Sequence, residues 1–272
     1  YADLFVARGG VFVLGDALTL QQRVGKWEVL SEQGLVVADE AVVTLGPQAR
    51  GVFEPLGYKI PLAIKRGYHM HYAALPGACL QQPLLDPVGG YVLAPMVGGI
   101  RLTTGIEFAD SDDPINEIQL RRCEELASAF FPLGERLNAE PWLGRRPCLP
   151  DMCPVIGPAP RHKGLWFNFG HAHHGLTLGP VCGRLLAEMM TGAAPFTDPT
   201  PYSAERFHWQ TQNSARPDRG RGLEYIQHRA LGKRIFLFVR EQAKDEFGRS
   251  FGFVNFGEVN YVQHSGAQPM NV

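Results

Sequence analysis

Gly170-His171-Ala172-His173-His174-Gly175-Leu176-Thr177-Leu178-Gly179-Pro180 follows the apolar run 165–169 and precedes Val181, Leu185, Leu186, Met189 and Met190. The latter fall on one side of a helix that Gly192 closes. This order predicts a strand, a glycine-rich turn and a helix, with the N–H groups of the first helical turn unpaired and aimed at one spot. Such a spot stabilises anionic oxygen. The plainer alternative is an ordinary strand–turn–helix whose histidines are solvated. A metal is the weakest reading, because adjacent histidines rarely converge on one ion without a carboxylate or Cys partner. Cys148 and Cys153 lack the spacing of a zinc knuckle.

Working outward, Ala41-Val42-Val43-Thr44-Leu45-Gly46 is a continuous apolar run ending on Gly. It reads as a strand buried on both faces whose carboxyl end meets a ligand or a tight turn. Residues 11–15, 27–30 and 34–39 are further β-favouring runs, and 80–108 reads as strands broken by turns. From Pro114 to Phe130 the period changes to that of a helix. Asp112 or Asp113 is its cap, Pro114 lies in its first turn, and Ile118, Leu120, Leu126 and Phe130 form its apolar stripe. The fold class is α/β with α+β mixing.

The chain has 272 residues, 45% hydrophobic and 19% charged, with a net charge of -1. That balance excludes a disordered chain or a coiled coil and gives no polycation for nucleic acid. No apolar run is long enough for a membrane-spanning helix. Five cysteines without a paired framework suit a reducing cytoplasm. The opening Tyr1-Ala2-Asp3-Leu4-Phe5 reads like the middle of a protein. A charge seam lies near residue 207: Trp209 to Val272 holds 9 Lys+Arg against 6 Asp+Glu, the rest 17 against 21. The polar, breaker-rich stretch 211–220 reads as a linker.

Two other segments carry candidate chemistry. In Gly144-Arg145-Arg146-Pro147-Cys148, two arginines lie in a Pro/Gly/apolar stretch where burial without a partner is costly. A guanidinium fork matches a carboxylate, so a small acid is a natural ligand; an internal salt bridge is the alternative. In Lys65-Arg66-Gly67-Tyr68-His69-Met70-His71-Tyr72, strand alternation puts Tyr68, Met70 and Tyr72 on one face and His69 and His71 on the other.

Taken in order, these motifs resemble the carboxyl-terminal part of an FAD-dependent D-amino-acid dehydrogenase of the D-amino-acid oxidase/glycine oxidase superfamily. The resemblance rests on 41–47, 65–69, Arg101-Leu102-Thr103-Thr104-Gly105-Ile106-Glu107-Phe108, 144–151, Pro154-Val155-Ile156-Gly157, 170–180 and Tyr202-Ser203-Ala204-Glu205-Arg206-Phe207. It implies a truncated FAD-binding oxidoreductase fold with an antiparallel substrate-domain sheet. Its parts would be 1–56, a remnant of the FAD-binding domain; 57–143, the substrate sheet; and 144–207, the rest of the FAD-binding domain.

The resemblance also implies site residues. Arg146, Tyr68, His69 and His173 would bind substrate. Gly46, Gly170, His171, His174, Gly175, Leu176 and Thr177 would contact FAD. The substrate Cα–H would leave as hydride to flavin N5, giving an imino acid and then an oxo acid, with electrons passing to oxygen or a quinone-linked chain. A cytoplasmic place, at most peripheral to the inner membrane face, follows. The family's G-x-G-x-x-G does not occur in these residues, which predicts impaired FAD binding.

Residues 208–272 read as a small β-rich module of separate origin. Trp209-Gln210-Thr211-Gln212-Asn213-Ser214, Leu237-Phe238-Val239-Arg240-Glu241, 244–249, 261–264 and 269–271 resemble the end of an uncharacterised carboxyl-terminal domain of bacterial DEAD/DEAH-box helicase-like proteins. A weak nucleic-acid contact through this module, in a non-enzymatic fusion, is the rival to the oxidoreductase reading.

Overall fold

In the computed structural model of the chain, residues 1–206, 214–239, 254–267, 270 and 272 are described. A short helix, α1 (Ala2–Ala7), precedes an antiparallel meander of β1 (Gly15–Arg23), β2 (Lys26–Ser31) and β3 (Gly34–Ala38). The tight turn between β1 and β2 needs two consecutive residues with positive φ, and Val24 (φ 47°) and Gly25 (φ 78°) supply them. The run 11–14 lies before the first strand rather than within it, and its side chains are exposed.

β4 (Ala41–Val43) pairs in parallel with a later strand. After β4 the chain turns at Gly46 into α2 (Ala49–Phe53). Val43 is buried but Val42 is 38% exposed, so β4 is covered on one face and not on both as its composition predicted. β4 is also an edge strand of its sheet.

The largest sheet is built on β5 (Ala63–Ala74), with β6 (Leu84–Asp86), β7 (Tyr91–Met96), β8 (Gly99–Thr103) and β9 (Glu107–Phe108). α3 (Ile118–Phe130) covers one face of it. β10 (Leu133–Arg136) and β11 (Trp142–Cys148) complete the sheet by pairing with opposite ends of β5. Met70, Tyr72, Leu93 and Leu102 from the strands pack against Leu120, Cys123 and Ala127 of the helix. Each fully buried Leu or Met of this set contributes about 1.5–3 kcal/mol.

The predicted stripe of α3 differs from the observed one. Leu120 is buried, but Ile118 is 62% and Phe130 67% exposed, and Leu126 is exposed as well. The helix also starts four residues after Pro114. Residues 110–114 instead form a loop whose carbonyls are held from the sheet, so Asp112 and Asp113 cap nothing.

β12 (Val155–Pro158) and β13 (Leu165–Phe169) form a hairpin, and β13 runs parallel to β4. α4 (Gly175–Thr191) follows and ends on Gly192 in the left-handed conformation. Cys182, Leu185 and Leu186 bury against Ile156, and Tyr202 packs at the border of the same cluster. Phe167, Phe169, Phe53, Trp27 and Leu165 form a third core beneath β4 and β13.

Beyond residue 206 the described part comprises α5 (Gly220–Ile226) and a hairpin of β14 (Ile235–Val239) and β15 (Val254–Val259). The predicted linker already contains a turn bridged between Arg216 and Arg219, and its Gly220 opens α5. Residues 207–213, 240–253, 268, 269 and 271, which include several resemblance motifs, lie outside the described residues.

Candidate active site

The register of β5 against β11 sorts the candidate residues. Gly144 lies opposite Gly67, Arg145 opposite Arg66, Arg146 opposite Lys65 and Trp142 opposite His69. Directly opposed residues share a face and neighbours along a strand alternate. One face therefore carries Lys65, Gly67, His69, Trp142, Gly144 and Arg146. The other carries Arg66, Tyr68, Leu143 and Arg145.

The second face is closed. Arg66 is fully buried: its Nε donates to Glu107 at 2.9 Å and its Nη2 to the Tyr68 hydroxyl at 2.6 Å. Its remaining N–H groups reach the carbonyls of Asp110, Asp113 and Pro114. Burial opposes the Arg66 charge, but the Tyr68 and Glu107 contacts outweigh it and raise its pKa. The Tyr68 hydroxyl donates to Glu107 at 2.5 Å and accepts from the Asn116 N–H at 3.1 Å. Tyr68, expected beside the substrate, is thus buried on the far side with its hydroxyl fully engaged. Arg145 also points this way, donating to the Ser111 carbonyl at 2.7 Å.

The first face is open and cationic. The Arg146 guanidinium lies across Gly67, so close that a β-carbon there would overlap it. Its Nη1 reaches the carbonyls of Gly105 at 3.4 Å and Arg66 at 3.5 Å, both long. Among the described residues no carboxylate pairs with it, and half-burial lowers its pKa. A partly desolvated guanidinium with such weak partners has the chemistry to receive an anion.

His173 stands close enough to Arg146 to feel it. Burial first, then His174, Arg146 and Lys65, lowers its pKa. His69 stacks on Trp142, ring centroids 4.6 Å apart, and meets His71 edge-on. Burial, with the charge of Arg101 and the neighbouring His71, holds the His69 pKa at about 4, so its ring is neutral at pH 7. Arg101 in turn donates from Nε to His71 at 3.1 Å.

The turns at Gly46 and Gly170 end the parallel strands β4 and β13, and so sit at the same edge of their sheet. Gly46 has φ 54°. Gly170 has φ 86°, and a β-carbon there would strike Leu149. The Ala172 N–H donates to the Pro147 carbonyl at 2.8 Å, and Cys148 and His171 form a β-bridge. These contacts join the turn to the end of β11 next to Arg146. His174, the N-cap of α4, makes no side-chain cap bond. The first-turn N–H groups at Gly175, Leu176 and Thr177 have no carbonyl inside the helix to bond, and the segment 173–177 is exposed. His171 turns inward, with Nε2 buried and unpartnered and its pKa lowered by burial.

The structure therefore brings Arg146, His69 and His173 to one side of β5 and β11, and sets Gly46 and 170–177 along one sheet edge. It separates Tyr68 from them. The motif reading missed Lys65, Arg101 and Trp142 on the open face and Glu107 on the closed one. A signal for Trp142 was present, since it sits two residues before Gly144, but its face depends on the β5–β11 register.

The family model described as FAD dependent oxidoreductase matches residues 1–189. The chain belongs to this family. A second model, a domain of unknown function (DUF3427), matches residues 198–271 and already includes Tyr202. Glycine oxidase from Pseudomonas putida is 31% identical over 182 residues, covering 65% of this chain and 48% of that protein. D-amino-acid oxidase from Bradyrhizobium diazoefficiens is 29% identical over 193 residues, 66% of this chain and 43% of the relative. Among solved structures, glycine oxidase from Geobacillus kaustophilus superposes with a TM-score of 0.61 at 20% identity, covering 71% of this chain and 52% of that one. The chain spans about half the length of the curated relatives it matches.

The family is FAD-dependent. The turn residues fit the anionic edge of such a cofactor: glycines hold two strand ends open, a helix N-terminus lies uncapped, and the His171 ring nitrogen is buried without a partner. The dinucleotide fingerprint is absent from the sequence. Among the described residues no cluster of His, Cys, Asp and Glu could hold a metal, and no helix is long and apolar enough to cross a membrane.

Proposed function

We propose that this chain forms the substrate-binding and flavin-facing part of an oxidoreductase acting on D-amino acids or related amino acids, converting them to imino acids that water hydrolyses to 2-oxo acids and ammonia. The observation that carries this reading is the half-buried Arg146 without a carboxylate partner, on a cationic face beside the turn of residues 170–174. The FAD, when bound, supplies the two-electron acceptor for the substrate Cα–H.

This chain's own residues bind and orient. Arg146 holds the substrate carboxylate, and its position over Gly67 fixes the height of the fork. Lys65 adds positive potential, which draws an anion to the face. His69, neutral at pH 7, offers a ring wall without a second charge. The backbone at Gly46 and 170–177 faces the cofactor's reducing end, where first-turn N–H groups stabilise negative charge. In this reading 57–143 with the rest of β11, through Cys148, is the substrate unit, 1–56 and the remainder of 144–207 face the flavin, and 208–272 stands apart. In that last part Arg216, Lys233 and Arg234 are each paired with a carboxylate.

The test is Arg146→Lys. We expect acetate, titrated by ligand-observed NMR, to bind at least 10-fold more weakly, because the bidentate fork is lost. Retention of added FAD through a desalting column, read from the visible absorbance, should match the parent. Unchanged acetate affinity would overturn the role of Arg146.

A further inference from the structure

Gly67 and Gly144 are directly opposed across β5 and β11, and both β-carbon positions on the open face are taken by other side chains. The Arg146 guanidinium fills the place over Gly67. The six-membered ring of the Trp142 indole fills the place over Gly144, where a β-carbon would lie 2.5–2.7 Å from its ring carbons. The two β-carbon positions of an opposed pair are about 5 Å apart. The planar cation and the indole therefore stand side by side on one glycine floor.

The indole is braced from behind. His69 stacks on it with planes 20° apart, and His71 meets the outer side of His69. Trp142 nonetheless remains 59% exposed. A large, braced and exposed aromatic beside an anion-binding fork has the form of a recognition surface rather than of a core residue. An α-amino acid whose carboxylate sits on Arg146 carries its side chain on the adjacent carbon, and an aromatic or long aliphatic side chain is long enough to reach across the roughly 5 Å to the indole.

We propose that Trp142 is the specificity-determining wall of this site, and that it selects amino acids with an aromatic or large aliphatic side chain over glycine. This rests on the reading of Arg146 as the carboxylate anchor. Trp142 works by apolar and ring contact with the substrate side chain. His69 acts through it, as a positioning residue, and Gly144 leaves the space in which the indole lies.

Titrating the full chain with acetate and with phenylacetate by ligand-observed NMR tests this. The two acids share the carboxylate and differ in the ring. The parent should bind phenylacetate roughly 3- to 10-fold more tightly than acetate, the range one aromatic pair contributes. Trp142→Ala should bring the ratio to about 1, whereas Trp142→Phe should retain most of it. Gly144→Ala, which displaces the indole without removing it, should lower the ratio as well. Acetate binding that depends on Arg146, with a phenylacetate ratio unmoved by Trp142→Ala, would overturn the wall and leave the anchor standing. Failure of both acids to bind, or binding indifferent to Arg146→Lys, would overturn the anchor and the wall together.

Discussion

Replacing Gly67 by Ala separates what the site needs from what the fold needs. Gly67 is not among the residues with positive φ, so its backbone suits any L-residue. Ala in its place removes freedom from the unfolded chain, a gain of about 0.4–1 kcal/mol. The three atoms nearest the new β-carbon all belong to the Arg146 guanidinium, the far end of a flexible side chain, which can swing aside. Net stability should therefore change by less than about 1 kcal/mol, read as the urea midpoint. The fork, however, leaves the height at which it meets a carboxylate. A hydrogen bond to a charged group is worth about 1.5–3 kcal/mol, so acetate affinity should fall roughly 10- to 150-fold. Adding Gly67→Ala to Arg146→Ala should cost nothing further, because both act on one interaction. An acetate affinity within twofold of the parent in the single variant would refute the reasoning. So would a loss of more than 3 kcal/mol in stability, which would mean that the guanidinium cannot yield.

Two further outcomes concern the groups around the anchor. Arg66→Met should cost about 3–5 kcal/mol, because it strands the Glu107 carboxylate and three carbonyls that the buried guanidinium satisfies, and thermal unfolding followed by circular dichroism should show a fall on the order of 10 °C; a fall under 2 °C would deny the network its structural weight. His69 has its pKa depressed from 6.5 to about 4. Between those values the unfolded chain binds the proton and the folded chain does not, so stability falls as pH drops from 6.5 toward 4. His69→Gln should flatten that part of the curve of urea midpoint against pH, and identical curves would contradict the depressed value.

Local chemistry made the strand–turn–helix at 165–191 legible, since a β-run, a glycine-rich turn and a helical period ending in Gly192 leave few alternatives. The apolar alternation of Tyr68, Met70 and Tyr72 was legible for the same reason, and all three are buried on one face. What alternation cannot say is which face is covered and which is left open. Tyr68 and His69 are neighbours in sequence and therefore on opposite sides, yet both were expected beside the substrate. The distinction between Arg145 and Arg146 was likewise hidden, because it depends on which residue of β5 each one faces. The start of α3 was misplaced because Asp112, Asp113 and Pro114 carry a helix-opening signal. The guanidiniums of Arg66 and Arg145, long-range partners, hold that segment as a loop. Registers and buried ions are tertiary facts, and they decided what local pattern left open.

The bond from the Ala172 N–H to the Pro147 carbonyl, with the bridge between Cys148 and His171 beside it, has a mechanical meaning. It rivets a turn after one sheet to the end of a strand in another, one residue from Arg146. Anchor and turn then travel as a single body when the surrounding layers breathe. On the proposed function, a shift of the large sheet would carry a bound carboxylate and the turn together and so keep the distance between them. The Ala172 amide proton is the gauge of that rivet, and its hydrogen exchange reports how often it opens.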